Sequence, residues 1–243
     1  MTSQSLFNQC DRLVTNYPAG TYKLPLGYPF AGRGFFPVVS GSFHSGCLTT
    51  QILPRKLLFV GQDWGCEENL TALGSDVDAD IKSGTGKILL DLLGKAGIPP
   101  KECFFTNALF GVRKGKTNTG SSPGWEKSTF VDECAKAMQA QIDAVRPRGI
   151  VCLGRDAPGL LVRLMSECAP WKSEKSFRAI DRARCAVMNV TSLPGISITA
   201  ILLHPSFRRA NARLRSYEGL VKHDAELKIL TDVWSEVKRE PFP

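Results

Sequence analysis

Two residues with the chemistry of acid–base catalysis stand directly after apolar runs of the sequence. The run at 57–60 leads through one turn into Asp63, and a second run at 200–203 leads into His204. A carboxylate can hold a water molecule for attack, and an imidazole can donate to a developing oxyanion. Because open α/β sheets present their chemistry at the carboxyl ends of buried strands, we expect one shared site. The alternative is that Asp63 only caps the turn that follows it.

A third apolar run, at 103–106, delivers a side-chain amide at its end, Asn107. A carboxamide carries both a donor and an acceptor, so it can read the edge of a nucleobase. The alternative for this residue, too, is a turn cap.

The elements that must position these residues alternate along the chain. Strand-like runs are separated by segments in which apolar residues have helical spacing. This alternation predicts an α/β fold with three α/β/α layers and a central four-stranded parallel sheet. Helices are expected near 84–94, 125–146, 157–168 and 217–238, with a hairpin or short edge strands near 185–190. We expect residues 57–243 to form one compact catalytic domain, with 1–56 as a helix and ordered loops wrapped on it.

The chain of 243 residues is basic, with 31 Lys and Arg against 23 Asp and Glu and a formal charge of +8. Such a balance favours polyanionic partners. The basic side chains crowd beside the expected site in two clusters, which are Arg113, Lys114 and Lys116, and Arg208, Arg209, Arg213 and Arg215. We expect both clusters to bind phosphate.

Other features exclude several classes of protein. No apolar run is long enough to cross a bilayer and no signal peptide opens the chain, which predicts a cytoplasmic protein. The eight cysteines show no CxxC spacing, so reduced, structural thiols are expected rather than a metal site. His44 lies in an irregular loop region, where a packing role is expected.

These stretches together resemble the uracil-DNA glycosylase superfamily. Gly61-Gln62-Asp63 is similar to the first motif of family 1, whose Asp polarises the attacking water, and Asn107 resembles the Asn that reads uracil. His204-Pro205-Ser206 resembles the second catalytic motif, whose His hydrogen-bonds the base and whose Ser touches phosphate. Pro123–Glu126 is similar to a Gly-Trp-Glu helix start, and the middle of the chain is more like families 4 and 5.

The resemblance implies a DNA glycosylase that flips a pyrimidine nucleotide into a pocket, acts without a cofactor, and is a monomer. Asp63 and His204 are then catalytic. The implied base-binding residues are Gly61, Gln62, Trp64, Gly65, Ile81 and Asn107. The implied DNA-binding residues are Ser206, Phe207, Arg208, Arg209, Arg213, Arg113, Lys114 and Lys116. Either Phe207 or Arg208 would fill the space left by the flipped base. The alternative for Phe207 is a place in the core.

The sequence departs from the family at three places. Gly65 stands where family 1 has the Tyr that blocks a 5-methyl group, and Ile81 stands where an aromatic side chain stacks on uracil, unless Trp64 supplies that stack. Family 4 carries an iron–sulfur cluster, but only Cys134 falls near one of its ligand positions, so no cluster is expected.

The opened pocket leaves alternatives for the function. One is the excision of uracil with relaxed control at C5. The next is the excision of a bulky 5-modified pyrimidine, as in defence against foreign DNA. A third is a base-recognising, DNA-binding relative without turnover. A small-molecule hydrolase or nucleotide-binding protein would explain the fold but not the arginines. No Lys is placed for Schiff-base chemistry, so lyase activity is not expected.

Overall fold

A computed structural model describes residues 1–23, 52, 54–68, 84–117 and 119–239 of the chain. Two residues discussed above, His44 and Ile81, lie outside this part, as does most of the expected wrapping-loop region. The strands are β1 (Thr21–Tyr22), β2 (Leu57–Gly61), β3 (Cys103–Asn107), β4 (Val112–Arg113), β5 (Gly149–Leu153), β6 (Val187–Asn189), β7 (Ile198–Leu202), β8 (Ser216–Tyr217) and β9 (Leu220–Val221). The α-helices are α1 (Ser3–Leu13), α2 (Gly84–Lys95), α3 (Ser128–Val145), α4 (Pro158–Leu161), α5 (Ala169–Ser173), α6 (Phe177–Arg182), α7 (Arg208–Asn211) and α8 (Lys222–Val237).

The central sheet has five strands in the order β3-β2-β5-β7-β6. β2 pairs in parallel with β3 and β5, and β5 pairs in parallel with β7. Every residue of these four strands is buried, which explains why they are mostly apolar and show no alternation of apolar and polar residues. The predicted α/β fold and its four parallel strands are therefore confirmed. A fifth strand, β6, adds an antiparallel edge where a hairpin or edge strand was expected.

The strand order places a crevice at the carboxyl edge of the sheet. The chain moves from β2 outward to β3 and then returns to the opposite side of β2 with β5. Ligands of open α/β sheets bind where the strand order reverses in this way. The helices complete the core, since α1 packs on α3, and α8 packs on β7 and also contacts α2. None of the described helices is long and apolar enough to span a bilayer.

Two predicted helices are shorter than expected. The segment expected to be helical over 157–168 is broken into α4 and a 3-10 turn, because Arg163 N–H and Leu164 N–H donate to carbonyls three residues back and tighten the chain. The last helix begins at Lys222, not near 217, because 216–221 form the β8–β9 hairpin. That hairpin turns through Glu218 and Gly219, both with positive φ (48° and 79°), as a tight hairpin turn requires.

Candidate active site

Asn107 and Gly61 end neighbouring strands and lie side by side. The register of β2 and β3 pairs Gly61 with Asn107. A Cβ atom on residue 61 would lie 2.2 Å from Asn107 Oδ1, so only glycine leaves room for the carboxamide in this position. Asn107 is 5% exposed. The Asn107 carboxamide therefore lies in a nearly buried position beside the turn that leads to Asp63.

The Asp63 carboxylate is held by two groups within the turn after β2. Its Oδ1 accepts a hydrogen bond from Gly65 N–H at 3.1 Å, and its Oδ2 lies 2.5 Å from Arg113 Nε. Gly65 has φ of +80°, the left-handed region that glycine adopts without strain. Both side chains of the ion pair are 6% exposed. Asp63 therefore caps the turn that follows it, as the alternative predicted, and its side chain is also buried in an ion pair.

Arg113 is held by this turn and its neighbour loop. One guanidinium nitrogen donates to Gln62 Oε1 and to Gly120 O, both at 3.0 Å, and another donates to Thr119 O at 3.0 Å. With the contact to Asp63, four of the five N–H donors of Arg113 are used inside the protein. Its position beside Asp63 and its burial therefore disfavour the predicted contact of Arg113 with a DNA phosphate.

His204 follows β7 and reaches the same crevice. Its Nδ1 accepts from Ser206 N–H at 3.3 Å, so a neutral imidazole carries its proton on Nε2 and can donate there. Burial lowers the pKa of His204 below its usual value, and the negative charge of Asp63 opposes that shift. Gly154, after β5, has φ of +91°, and a Cβ atom there would lie 3.3 Å from His204 Cβ. The ends of β2 and β7 therefore lie close enough for the charge of Asp63 to act on His204.

The turn after His204 carries the residues expected to touch DNA. Ser206 is exposed, and its Oγ lies 2.5 Å from Thr85 Oγ1 at the start of α2. Phe207 is 46% exposed, so it is not a core residue; its ring centroid lies 6.0 Å from that of His204. Arg208 is buried instead, and its Nη2 donates to His223 O at 3.5 Å. Of the two wedge candidates, only Phe207 is accessible.

Four further basic residues remain exposed around the crevice, namely Lys114, Lys116, Arg209 and Arg213. Lys116 is 82% exposed and lies 3.6 Å from Glu68, which ties its loop to the segment after Gly65. A DNA-binding role for these four residues stays a prediction, whereas Arg208 and Arg113 are buried.

Trp64 differs from the other predicted base-binding residues. Its side chain is 8% exposed and belongs to the hydrophobic core, and its backbone N–H donates to Gly111 O at 3.4 Å. By contrast, Gly65 N–H donates to Asp63, and Gln62 accepts from the Arg113 that pairs with Asp63. Gly61 lies against Asn107.

The described cysteines do not form a cluster site. Seven are buried and free, and within the described ranges no group of three or more His, Cys, Asp or Glu side chains could hold a metal ion. Cys134, the residue nearest to a family 4 ligand position, accepts a hydrogen bond from Phe110 N–H at 3.3 Å, and burial raises the pKa of its thiol to about 12. Its surroundings are those of a packed thiol and do not fit an iron–sulfur ligand.

Sequence reasoning missed a buried ionic cluster behind the site. Arg215, grouped above with the phosphate-binding arginines, has a fully buried side chain that lies 3.1 Å from Asp181 and 3.3 Å from Glu226. No local pattern could have found it, since its partners lie on α6 and α8, far away in the sequence.

Comparison with known sequences shows the family to which this chain belongs. The chain matches the family model of the uracil DNA glycosylase superfamily over residues 18–228. It is also 26% identical over 173 residues to a type-4 uracil-DNA glycosylase from Archaeoglobus fulgidus, an alignment covering 71% of this chain and 76% of that protein. With Asp63, Asn107 and His204 all inside the matched range, the chain belongs to the uracil DNA glycosylase superfamily.

Proposed function

We propose that the protein is a monofunctional DNA glycosylase that flips a pyrimidine nucleotide, hydrolyses its N-glycosidic bond and leaves an abasic site. The observation that carries this proposal is the meeting of Asp63, Asn107 and His204 at the carboxyl edge of the sheet, in a chain of this superfamily. The relative named for uracil excision supports uracil as a substrate.

Asp63 and His204 stabilise charges of opposite sign that develop in the reaction. Breaking the C1′–N1 bond leaves negative charge on the pyrimidine and positive charge on the sugar. His204 donates from Nε2 to the pyrimidine carbonyl oxygen, and the Asp63 carboxylate stabilises the cationic sugar. Each carboxylate oxygen has a second lone pair beyond its bond to Gly65 or Arg113, so Asp63 can still orient the water that adds to C1′.

The base-binding side of the crevice favours a pyrimidine with little restriction at C5. Asn107 presents its carboxamide for a uracil-like edge. Residue 65 has no side chain to guard C5, and its φ of +80° disfavours any replacement by a larger residue without a change of the turn. Both uracil and a 5-modified pyrimidine therefore fit the proposal.

The duplex is held by residues around the crevice. A base inside a duplex cannot be reached, so flipping is needed, at a cost of roughly a few kcal/mol. Phe207 is exposed next to His204 and fills the space left in the stack. Lys114, Lys116, Arg209 and Arg213 bind the phosphates, with Ser206 nearest to the catalytic turn.

One observation favours a second candidate, a base-recognising DNA-binding protein without turnover. The Arg113 guanidinium, 2.5 Å from Asp63, neutralises part of the charge that would stabilise the cationic sugar. Such a protein would bind DNA containing the recognised base more tightly than a matched control and would release no base.

A panel of oligonucleotides tests the proposal. Single- and double-stranded DNA would carry uracil, thymine opposite guanine, or 5-substituted and glucosylated pyrimidines, and alkali would reveal abasic sites. We expect cleavage with uracil or a 5-modified pyrimidine and no borohydride-trapped adduct. Binding selective for one of these bases, with no abasic site on any substrate, would replace the proposal with the second candidate.

A further inference from the structure

Several residues proposed to contact DNA lie in the segment 204–214, called the arch below, and both ends of this segment are fixed inside the protein. The chain leaves β7 at Leu203 and returns to the core at Arg215. Between these residues lie His204 and the exposed side chains of Ser206 and Phe207. The geometry of the catalytic imidazole therefore depends on what fixes the two ends of the arch.

The start of the arch is held by a carboxylate on α8. Leu203 N–H, one residue before His204, donates to both oxygens of Glu226, at 3.2 and 3.1 Å. Glu226 is 0% exposed. Since Leu203 N–H has left the ladder of the sheet, this carboxylate is the partner that satisfies it.

The C-terminal end of the arch is held by Arg215. Its guanidinium lies 3.3 Å from Glu226 Oε1 and 3.1 Å from Asp181 Oδ1, and it donates to Ile201 O at 3.3 Å. Asp181 also accepts from Ser216 N–H at 2.7 Å, and the guanidinium lies 4.7 Å from the ring centre of Phe177. The three ionic side chains thus join both ends of the arch to α6 and α8.

Stability alone gives a weak reason for such a cluster. Buried ion pairs are often no more stabilising than apolar residues of the same volume, because two charges must leave water. This cluster sets two carboxylates against one arginine at its centre, with the charge of the buried Arg208 also acting on Glu226. Its contacts instead converge on the backbone that precedes and follows the catalytic turn.

We infer that Glu226, with Arg215 and Asp181, is a positioning residue that fixes the orientation of His204 through Leu203 N–H. This inference rests on the proposed function, which gives His204 its role in excision. Glu226 touches no substrate, and its effect passes through the backbone of one residue. A shift of about 1 Å at a catalytic group can lower a rate by about 100-fold.

The test compares three variants. Glu226→Leu removes both acceptors, and Glu226→Gln keeps the shape and one acceptor oxygen. Val233→Ala removes buried volume from the same helix about 10 Å, or two turns, away from Glu226. The readout is the NMR titration of the His204 ring in DNA-free protein, where the chain has 3 histidines to assign. This readout needs no enzymatic activity, so it is decided separately from the proposed function.

We expect Glu226→Leu to move the His204 ring shifts and titration midpoint, Glu226→Gln to restore most of the wild-type behaviour, and Val233→Ala to leave it unchanged. On the substrate that the wild type cleaves, Glu226→Leu should lower the single-turnover rate about 10- to 100-fold at saturating DNA, with DNA affinity nearly unchanged. If Glu226→Leu does not fold, Glu226→Gln still serves, since its weaker acceptor should speed amide exchange at Leu203 relative to Ile229. An unchanged His204 titration in Glu226→Leu, an equal change in Val233→Ala, or unchanged Leu203 exchange in Glu226→Gln would overturn the inference.

Discussion

Replacing Asp63 by Asn tests the proposed chemistry most directly. The change preserves the shape of the side chain and removes the charge that would stabilise the cationic sugar. A positioned acid–base group typically contributes about 10²–10⁴-fold to a rate, so we expect the single-turnover excision rate to fall about 10³-fold, or about 4 kcal/mol. The assay is the formation of alkali-labile sites on the preferred substrate, with enzyme in excess.

Because Asp63 forms a buried ion pair with Arg113, Asp63→Asn should lower the stability of the protein as well as its activity. Both partners are 6% exposed, and breaking a buried pair typically costs about 3–5 kcal/mol. The new carboxamide can still accept from Arg113 Nε, which also retains its contacts to Gln62, Thr119 and Gly120. We therefore expect a loss of unfolding free energy near the lower limit, about 3 kcal/mol, measured by urea denaturation.

A double variant separates the two effects. Asp63→Asn with Arg113→Gln leaves no unpaired charge, and contacting residues typically show coupling energies of about 0.5–3 kcal/mol. It should be more stable than Asp63→Asn alone and still fail to excise the base. Recovery of excision in the double variant would mean that instability caused the loss. Excision within about tenfold of wild type in folded Asp63→Asn would refute the role of this carboxylate.

Four further predictions follow from single positions. Gly61→Ala should abolish selectivity for the target base while DNA still binds, because the new Cβ would lie 2.2 Å from Asn107 Oδ1; competition binding with matched oligonucleotides measures this. Phe207→Ala should slow excision from duplex more than from single-stranded DNA, since only a duplex stack must be filled; the ratio of the two rates is the readout. Arg209→Gln should weaken DNA binding uniformly across sequences and reduce the salt slope by about 1 in a plot of log affinity against log salt. Burial raises the pKa of Glu226 from 4.5 to about 6, so its contribution to stability is fully present below pH 4.5 and is lost as the pH rises through 6. Relative to Glu226→Gln, the wild type should lose about 2 kcal/mol of unfolding free energy over that interval, and equal pH dependence in the two proteins would contradict this.

The fold and the strand-end residues could be predicted because they depend on patterns local to each strand. Mostly apolar runs predicted the strands that lead into Asp63, Asn107 and His204, and parallel strands bring their carboxyl ends to one edge of the sheet regardless of the loops that connect them. Asp63, Asn107 and His204 were therefore placed together without knowledge of any contact. The boundaries of short helices were less predictable, since Arg163 and Leu164 end α4 by hydrogen bonds that the hydrophobic pattern does not encode.

The burial or exposure of each arginine could not be predicted from the sequence, because burial depends on partners supplied by other parts of the chain. Arg113 lies on β4, which pairs with β1, and its side chain binds the carboxylate of Asp63, 50 residues earlier in the chain. Arg215 is buried between Asp181 and Glu226, which lie on two different helices. Arg213 is exposed, and no carboxylate in the described part of the chain pairs with it. A basic cluster in a sequence thus overstates the phosphate-binding surface. Here the basic residues include exposed side chains, which we propose face DNA, and the buried Arg215, which we infer helps to position His204. Only substitution of the buried kind should change the His204 environment when DNA is absent.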